Sequence, residues 1–180
     1  MVYVLLGTGF EEVEAITPVD LLRRAGIAVT TVGINGKTVC GGHNICIETD
    51  ITIGQIDLTQ LDMIVLPGGL GGVHSIRNSE EAMNAIRFAW ENNKLVAAIC
   101  AGPTVLADLG ITNNKNTTCY PGCESAMGNS IVHVDAPVVR DGNVITAASA
   151  GCAVPFGLML IEALQNKNAA EHIQQQIVIR

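Results

Sequence analysis

One cysteine, Cys100, stands where an apolar run, small residues and a helix start meet: Val96-Ala97-Ala98-Ile99-Cys100-Ala101-Gly102-Pro103-Thr104. The arrangement has the form of a nucleophile elbow, in which the reactive residue takes a strained backbone conformation between strand and helix and its neighbours must be small to clear adjacent strands. Ala98-x-Cys100-x-Gly102 meets that requirement. Pro103 suits a first helical turn, because the amide it lacks would have been unpaired there. A helix N-terminus stabilises a nearby thiolate by about 0.3–2 kcal/mol. That alone does not bring a thiol from about 8.5 to below neutrality, so a reactive Cys100 needs further donors. Without them it is an inert buried thiol; the elbow favours the reactive reading.

Directly after another apolar run comes Leu66-Pro67-Gly68-Gly69-Leu70-Gly71-Gly72. Its glycines let backbone N–H groups converge into an anion-binding nest or oxyanion hole, with a plain tight turn as the equal alternative. No Lys-Ser/Thr ending makes it a P-loop, and it lacks the G-x-G-x-x-G spacing of a dinucleotide site. Glu11, Glu12 and Glu14 follow Gly7-Thr8-Gly9-Phe10 at the carboxyl end of the first apolar run, the edge where ligands gather in α/β folds. Acids in a first helical turn also simply complement the helix dipole, and the residues alone do not choose among the three. His74 reads as a surface or capping residue, and His133 and His172 as surface or interface residues. Cys119-x-x-x-Cys123 has no second close Cys/His pair of the kind tight zinc sites use, so no metal is expected. Cys119 is placed instead as an accessory thiol near Cys100. Cys40 and Cys46, at opposite ends of a hairpin, could pair but read as packing residues.

The elements that must position these residues follow from periodicity. Val2 to Leu6, Met63 to Leu66 and Leu95 to Ile99 are each followed closely by glycine and then by a helical pattern, the rhythm of βαβ units. A helix is expected over Glu11 to Ala25, stopped by Gly26 and kinked or restarted at Pro18 with Thr17 as cap. Further expectations are a strand over Ile27 to Ile34, a small hairpin over Lys37 to Ile53 appended to the sheet, and a helix from Ser79 to Asn92 or Asn93 with Ser79 as N-cap. An Asp141-Gly142 hairpin, a last helix from about Ala153 to Gln165, and an exposed turn over Thr112 to Thr118 complete the list.

Composition agrees with this rhythm. A chain of 180 residues suits one domain, expected over 1–180. With 48% apolar, 15% charged and only 3% aromatic residues, its core must be Val, Ile, Leu and Ala, which suits a mostly parallel sheet covered by helices on both faces. The net charge of −7, with no Lys/Arg run, argues against nucleic acid and anionic membranes as partners. The first residues lack the basic region of a signal peptide and the length of a membrane span. Six cysteines are then read as thiols, and a cytoplasmic protein is expected.

Gly9-x-Glu11-Glu12-x-Glu14 with Pro18, Leu66-Pro67-Gly68-Gly69, Ala98-Ile99-Cys100-Ala101-Gly102-Pro103 and the late Thr146-Ala147-Ala148-Ser149 together resemble the DJ-1/ThiJ/PfpI family over nearly the whole chain, closest to its DJ-1 branch, within the class-I glutamine amidotransferase-like superfamily. The resemblance implies a flavodoxin-like three-layer sandwich, a homodimer, no cofactor, and a Cys100 pKa lowered by a protonated Glu14. It alone singles out Glu14. A carboxylate and a thiolate about 4 Å apart repel by roughly 4 kcal/mol at an effective dielectric of 20, so such a pair holds one proton between them and titrates as a unit. The resemblance further implies an oxidation-sensitive thiol able to reach the sulfinic state, and glyoxalase, protein deglycase, chaperone or redox-sensing activity in oxidative stress.

On this basis Cys100 and Glu14 are the expected catalytic pair, acting on a small aldehyde such as methylglyoxal or on a glycated group, and Gly68, Gly69, Ala101 and Tyr120 are the expected oxyanion and substrate contacts. The alternative is a sensor or chaperone that works through oxidation of Cys100 without turnover. Tyr120 stands before Pro121 where the DJ-1 branch often has His, so the usual partner base is missing, and a neutral phenol does not readily accept a proton near neutrality. Ala148 replaces an arginine common near the late strand end, and His43 replaces another. Ala101 stands where the PfpI branch has the histidine of a peptidase, so peptidase activity is disfavoured.

Overall fold

Val2–Leu6 is buried at every position, so neither face of this strand can meet water. Such a strand must lie inside a sheet with both faces covered. The structure, a computed structural model, describes residues 1–179. In chain order its elements are β1 (Val2–Leu6), α1 (Glu12–Arg24), β2 (Val29–Gly33), β3 (Thr38–Cys40), β4 (Cys46–Glu48), β5 (Ile51–Thr52), β6 (Met63–Leu66), α2 (Leu70–Arg77), α3 (Glu80–Glu91), β7 (Leu95–Ile99) and α4 (Pro103–Asp108). They are followed by β8 (Asn116–Thr117), β9 (Ile131–Val132), β10 (Val138–Asp141), β11 (Val144–Ala147), α5 (Ala153–Leu164) and α6 (Lys167–Gln176). The main sheet runs β10-β11-β7-β6-β1-β2-β5, parallel throughout except for β10, which is antiparallel to β11.

Alternation along the strands feeds two cores. Val2, Val4 and Leu6 join Val65, Ala97 and Ile145 beneath α1, α5 and α6. Tyr3 and Leu5 join Ile64, Leu66 and Val96 beneath α2, α3 and α4. This is the flavodoxin-like sandwich expected from the composition. The order also creates a switch point: β1 is flanked by β2 on one side and β6 on the other, so the chain leaves the carboxyl ends of β1 and β6 toward opposite faces and opens a crevice between them.

Several expectations are corrected. α1 continues through Pro18 without restarting. Its backbone is held there by α5: a Cβ added at Gly157 would lie 2.7 Å from Leu21 Cδ1 and 3.3 Å from the Pro18 Cα, so the two helices touch at a side-chain-free point. The hairpin of β3 and β4 forms its own two-stranded sheet, and only β5 joins the main sheet, beside β2. Cys40 and Cys46 are joined as a disulfide, not left as packing thiols, because their positions face each other directly in the β3–β4 register. The stretch from Thr112 to Thr118 is not an exposed turn: Thr112, Thr117 and Thr118 are buried, β8 pairs with β9, and the Thr118 amide donates to Thr146 Oγ1 at 2.9 Å. α6 went unforeseen because its sequence is mostly polar, with only Ala170 and Ile173 buried, although Asn166 caps it by accepting from the Ala169 amide. Among the described residues no helix is long and apolar enough to cross a membrane.

The α1–α5 contact yields the first prediction. Gly157→Val should lower unfolding stability by roughly 1–3 kcal/mol in urea titrations, the usual range for overpacking. Gly54→Ala, where a Cβ meets nothing within 4 Å, should leave it unchanged or slightly raised. Equal stability for both variants would show that the two helices do not touch there.

Candidate active site

Cys100 leaves β7 with φ +64°, a conformation that costs a non-glycine residue about 1–3 kcal/mol and persists only where the surroundings enforce it. The enforcing contacts are explicit. The Cys100 amide donates to the Ala147 carbonyl at 2.9 Å, the Gly102 amide donates to Ile99 at 2.9 Å, and the Tyr120 amide donates to the Cys100 carbonyl at 2.8 Å. A Cβ at Gly102 would lie 2.6 Å from the Leu66 carbonyl oxygen, so the turn tolerates no side chain there. Together these bonds aim the sulfur, partly exposed, into the crevice at the switch point.

Glu14 arrives from the first turn of α1, almost fully buried. Its Oε2 accepts from the Gly68 amide at 2.8 Å, and Oε1 is buried with no hydrogen-bond partner of its own. The carboxyl and the Cys100 thiol interact directly. Burial, with help from the charge of Glu11, pushes Glu14 up to about 7 against hydrogen bonds from the thiol and the Gly68 amide. Burial, then the negative charge of Glu14 and its hold on the thiol proton, push Cys100 up to about 12, while the Ala101 and Gly69 amides pull the other way. The expectation of a lowered cysteine pKa is thus reversed while Glu14 is ionised: burial and the neighbouring carboxylate outweigh two amides. Between about 7 and 12 the pair holds one proton and one negative charge, which can sit on oxygen or on sulfur.

The pair opens on a cavity of about 450 Å³. Glu11, Gly69, Leu70 and Ala101 line one side of it, with Tyr120, Cys123, Ser149 and Gly151 opposite. Of the expected contacts, Gly69, Ala101 and Tyr120 are in the wall. Gly68 is not an oxyanion donor, because its amide is spent on Glu14; its role is steric, since a Cβ there would lie 2.5 Å from Glu14 Oε2 and 2.7 Å from Cys100 Cβ. Cys119 is buried outside the cavity, its thiol pushed up to about 11 by burial and by the charges of Glu124 and Cys123. The thiol that does face the cavity is Cys123, which the sequence analysis passed over except as half of a metal spacing. Its signal was the Tyr120-Pro121-Gly122-Cys123 turn, a spacing that returns the fourth residue toward the first.

The histidines lie elsewhere. His74, bonded to Asn78 at 2.8 Å, borders a separate cavity with Glu80 and Glu81. His133 bonds Asn116 on the surface, and His172 bonds Gln176. His43 sits 2.9 Å from Glu12 and 3.7 Å from Glu11, and the Glu12 hydrogen bond followed by the charges of Glu11 and Glu12 raises its pKa. These three could approach a cation together, but the Glu12 oxygens already accept from the His43 and Ile45 amides, so the group is satisfied as an ion pair.

With this geometry in place, comparisons with known proteins agree on one relationship. Residues 1–163 match the model of the DJ-1/PfpI family. The chain is 38% identical over 178 residues to protein dj-1beta of Drosophila melanogaster, covering 98% of this chain and 95% of the relative. It is 34% identical over 144 residues to deglycase PH1704 of Pyrococcus horikoshii, covering 79% and 86%. The crystal structure of Drosophila melanogaster DJ-1beta superposes with a TM-score of 0.94 at 36% identity over 99% of this chain and 97% of that one. The oxidized form of Toxoplasma gondii DJ-1 superposes at 0.93 with 29% identity, covering 98% and 97%. A cysteine elbow, a buried partner acid and a sandwich shared along almost the full length leave one assignment: the chain belongs to the DJ-1/PfpI family.

Proposed function

We propose that this chain, acting as one domain, is a cysteine-dependent enzyme of the glyoxalase or deglycase type, working on methylglyoxal-like aldehydes or glycated groups with Cys100 as nucleophile and Glu14 as proton carrier. The observation that carries the reading is the single proton shared by Glu14 and Cys100 at the mouth of a cavity of small-molecule size. The relative named a deglycase, 34% identical, supports it.

The chemistry needs few groups. With the proton on Glu14, the Cys100 thiolate adds to the aldehyde carbon of methylglyoxal, and the carboxylic acid protonates the oxyanion to give a hemithioacetal. The amides of Gly69 and Ala101, which face the sulfur, are near enough to stabilise charge on the adjacent oxygen. Glu14, now ionised, removes the proton from the former aldehyde carbon and delivers it to the neighbouring ketone carbon through an enediol, leaving a thioester. Water hydrolyses the thioester to lactate and frees Cys100. One carbon is oxidised and its neighbour reduced, so no external electron carrier is consumed. Tyr120 and Ser149 supply hydroxyls from the opposite wall to hold the substrate carbonyls.

The second reading is an oxidation sensor or chaperone. A partly exposed Cys100 and a structural neighbour solved in oxidized form favour it. A homodimer is also proposed, since Val13 and Ile16 leave α1 with an exposed apolar face; light scattering at the mass of a monomer would sink that proposal.

Two predictions follow from the shared proton. Purified protein should convert methylglyoxal to lactate without added cofactor, Cys100→Ala should abolish turnover, and Glu14→Gln should lower kcat by about 10²–10⁴-fold, as for loss of a general acid–base group. No lactate from the wild type, measured enzymatically, overturns the reading. The second concerns pH. Below about 7 the pair carries two protons and the sulfur is neutral; above it one proton leaves and the sulfur takes a share of the charge. Iodoacetamide labelling of Cys100 should therefore rise through a step near pH 7 and level off. In Glu14→Gln that step should vanish, leaving a single titration of a thiol freed from the carboxylate's repulsion. A wild-type profile flat through pH 7 would show that the sulfur never shares the charge.

A further inference from the structure

The cavity wall opposite Cys100 holds a second thiol that the proposed chemistry leaves unused. Among the described residues, Cys123 is the only other cysteine lining that cavity. Cys119 is buried outside it, Cys152 lies 3.7 Å from Ser149 Oγ without reaching the wall, and Cys40 and Cys46 are bonded to each other. Backbone bonds tie Cys123 to Cys100. The Tyr120 amide donates to the Cys100 carbonyl, and the Cys123 amide donates to the Tyr120 carbonyl at 2.9 Å, closing the turn Tyr120-Pro121-Gly122-Cys123. Pro at the second position and Gly122 at φ +97° give that turn its type II form, which returns the fourth Cα to within about 7 Å of the first. The turn is also free to shift. Pro121 and Gly122 are exposed, and a Cβ at Gly122 would meet nothing within 4 Å. A disulfide needs Cα atoms about 4.4–6.8 Å apart, a change that a surface turn hinged on Gly122 can make without disturbing the sheet.

From this juxtaposition we propose that Cys123 is the resolving thiol for Cys100, so that the cavity reduces hydroperoxides by forming a Cys100–Cys123 disulfide. The proposal rests on the reading of Cys100 as a reactive thiol. In the first step the Cys100 thiolate attacks the terminal oxygen of a hydroperoxide ROOH. The O–O bond breaks, the alkoxide takes the Glu14 proton and leaves as ROH, and Cys100 becomes a sulfenic acid. In the second step the Cys123 sulfur attacks the Cys100 sulfur. The S–O bond breaks, and the oxygen leaves as water, carrying the sulfenic proton and the proton given up by Cys123. Two thiols are oxidised and one hydroperoxide is reduced. The hydroperoxide is the sole oxidant, and an external dithiol resets the pair. The disulfide intercepts Cys100 before a second oxidation to the sulfinic state, which thiols do not reverse.

The test uses the full chain, reduced and then freed of reductant. It is treated with a stoichiometric amount of cumene hydroperoxide, quenched with a maleimide and mapped as unreduced peptides by mass spectrometry. The expected result is a Cys100–Cys123 linked peptide that dithiothreitol dissolves. Cys123→Ser should lose that peptide and carry Cys100 with two added oxygens, whereas Cys119→Ser should retain the link. Wild-type protein with sulfinic Cys100 and maleimide on Cys123, or with Cys100 linked to Cys119, overturns the proposal while leaving Cys100 reactive. Full maleimide labelling of Cys100 in the treated wild type overturns both this proposal and the reading beneath it. The wild-type map decides the matter even if a variant folds poorly.

Discussion

A carboxyl group buried against a thiol, with one backbone amide to satisfy it, is the constraint around which the rest of this chain is arranged. Glu14 is almost wholly excluded from water, and one of its oxygens has no hydrogen-bond partner. An isolated ionised carboxylate in such a place is costly, so the group keeps its proton to about 7 and shares the titration with Cys100. The same burial that raises both groups keeps the pair at one net negative charge across a wide pH range. What the fold must supply is close approach: α1 has to deliver Glu14 to the end of β7 although β6 lies between them in the sheet order.

Glycine makes that approach possible at two places. Gly68 sits between Glu14 and Cys100, where any Cβ would strike both, and its amide is the one donor that Glu14 receives from the backbone. Gly69, at φ +84°, turns the chain so that its own amide faces the sulfur instead of the acid. Two consecutive amides thus serve two different members of the pair. The Glu11 amide donates to the Gly68 carbonyl at 3.1 Å, so α1's start and the glycine loop fix each other. The switch point between β1 and β6 gives the loop somewhere to turn.

Much of this was readable from residue order. The small residues around Cys100, the apolar runs of β1, β6 and β7 and the DG hairpin of β10 and β11 follow rules of local sterics, and local rules survive into the folded chain. The misreadings share a different origin. Pro18 stays inside a helix because α5 packs on it at Gly157, and the threonines from Thr112 to Thr118 are buried because β8 finds β9 and the Thr146 hydroxyl. The choice of Cys123 over Cys119 as the thiol facing the cavity likewise depends on which side of a turn looks inward, and spacing does not encode that. Tertiary contacts decided each of these, and the sequence holds them only in distant parts.

The replacement of a histidine by Tyr120 shows how the parts constrain one another. Half of Tyr120 is exposed in the cavity wall, and its amide holds the Cys100 carbonyl, so the position shapes the elbow whatever its side chain. A histidine there could take a proton from the thiol; a phenol serves as a hydrogen-bond donor and leaves Glu14 as the acid–base partner in contact with sulfur. Proton transfer and sulfur activation then draw on one shared proton. Moving it to the acid activates the thiol, and returning it to substrate recharges the acid. A second base beside Cys100 would separate those two events; in this chain they are coupled by geometry, because the carboxyl that accepts the proton is the group whose charge otherwise holds the thiol protonated.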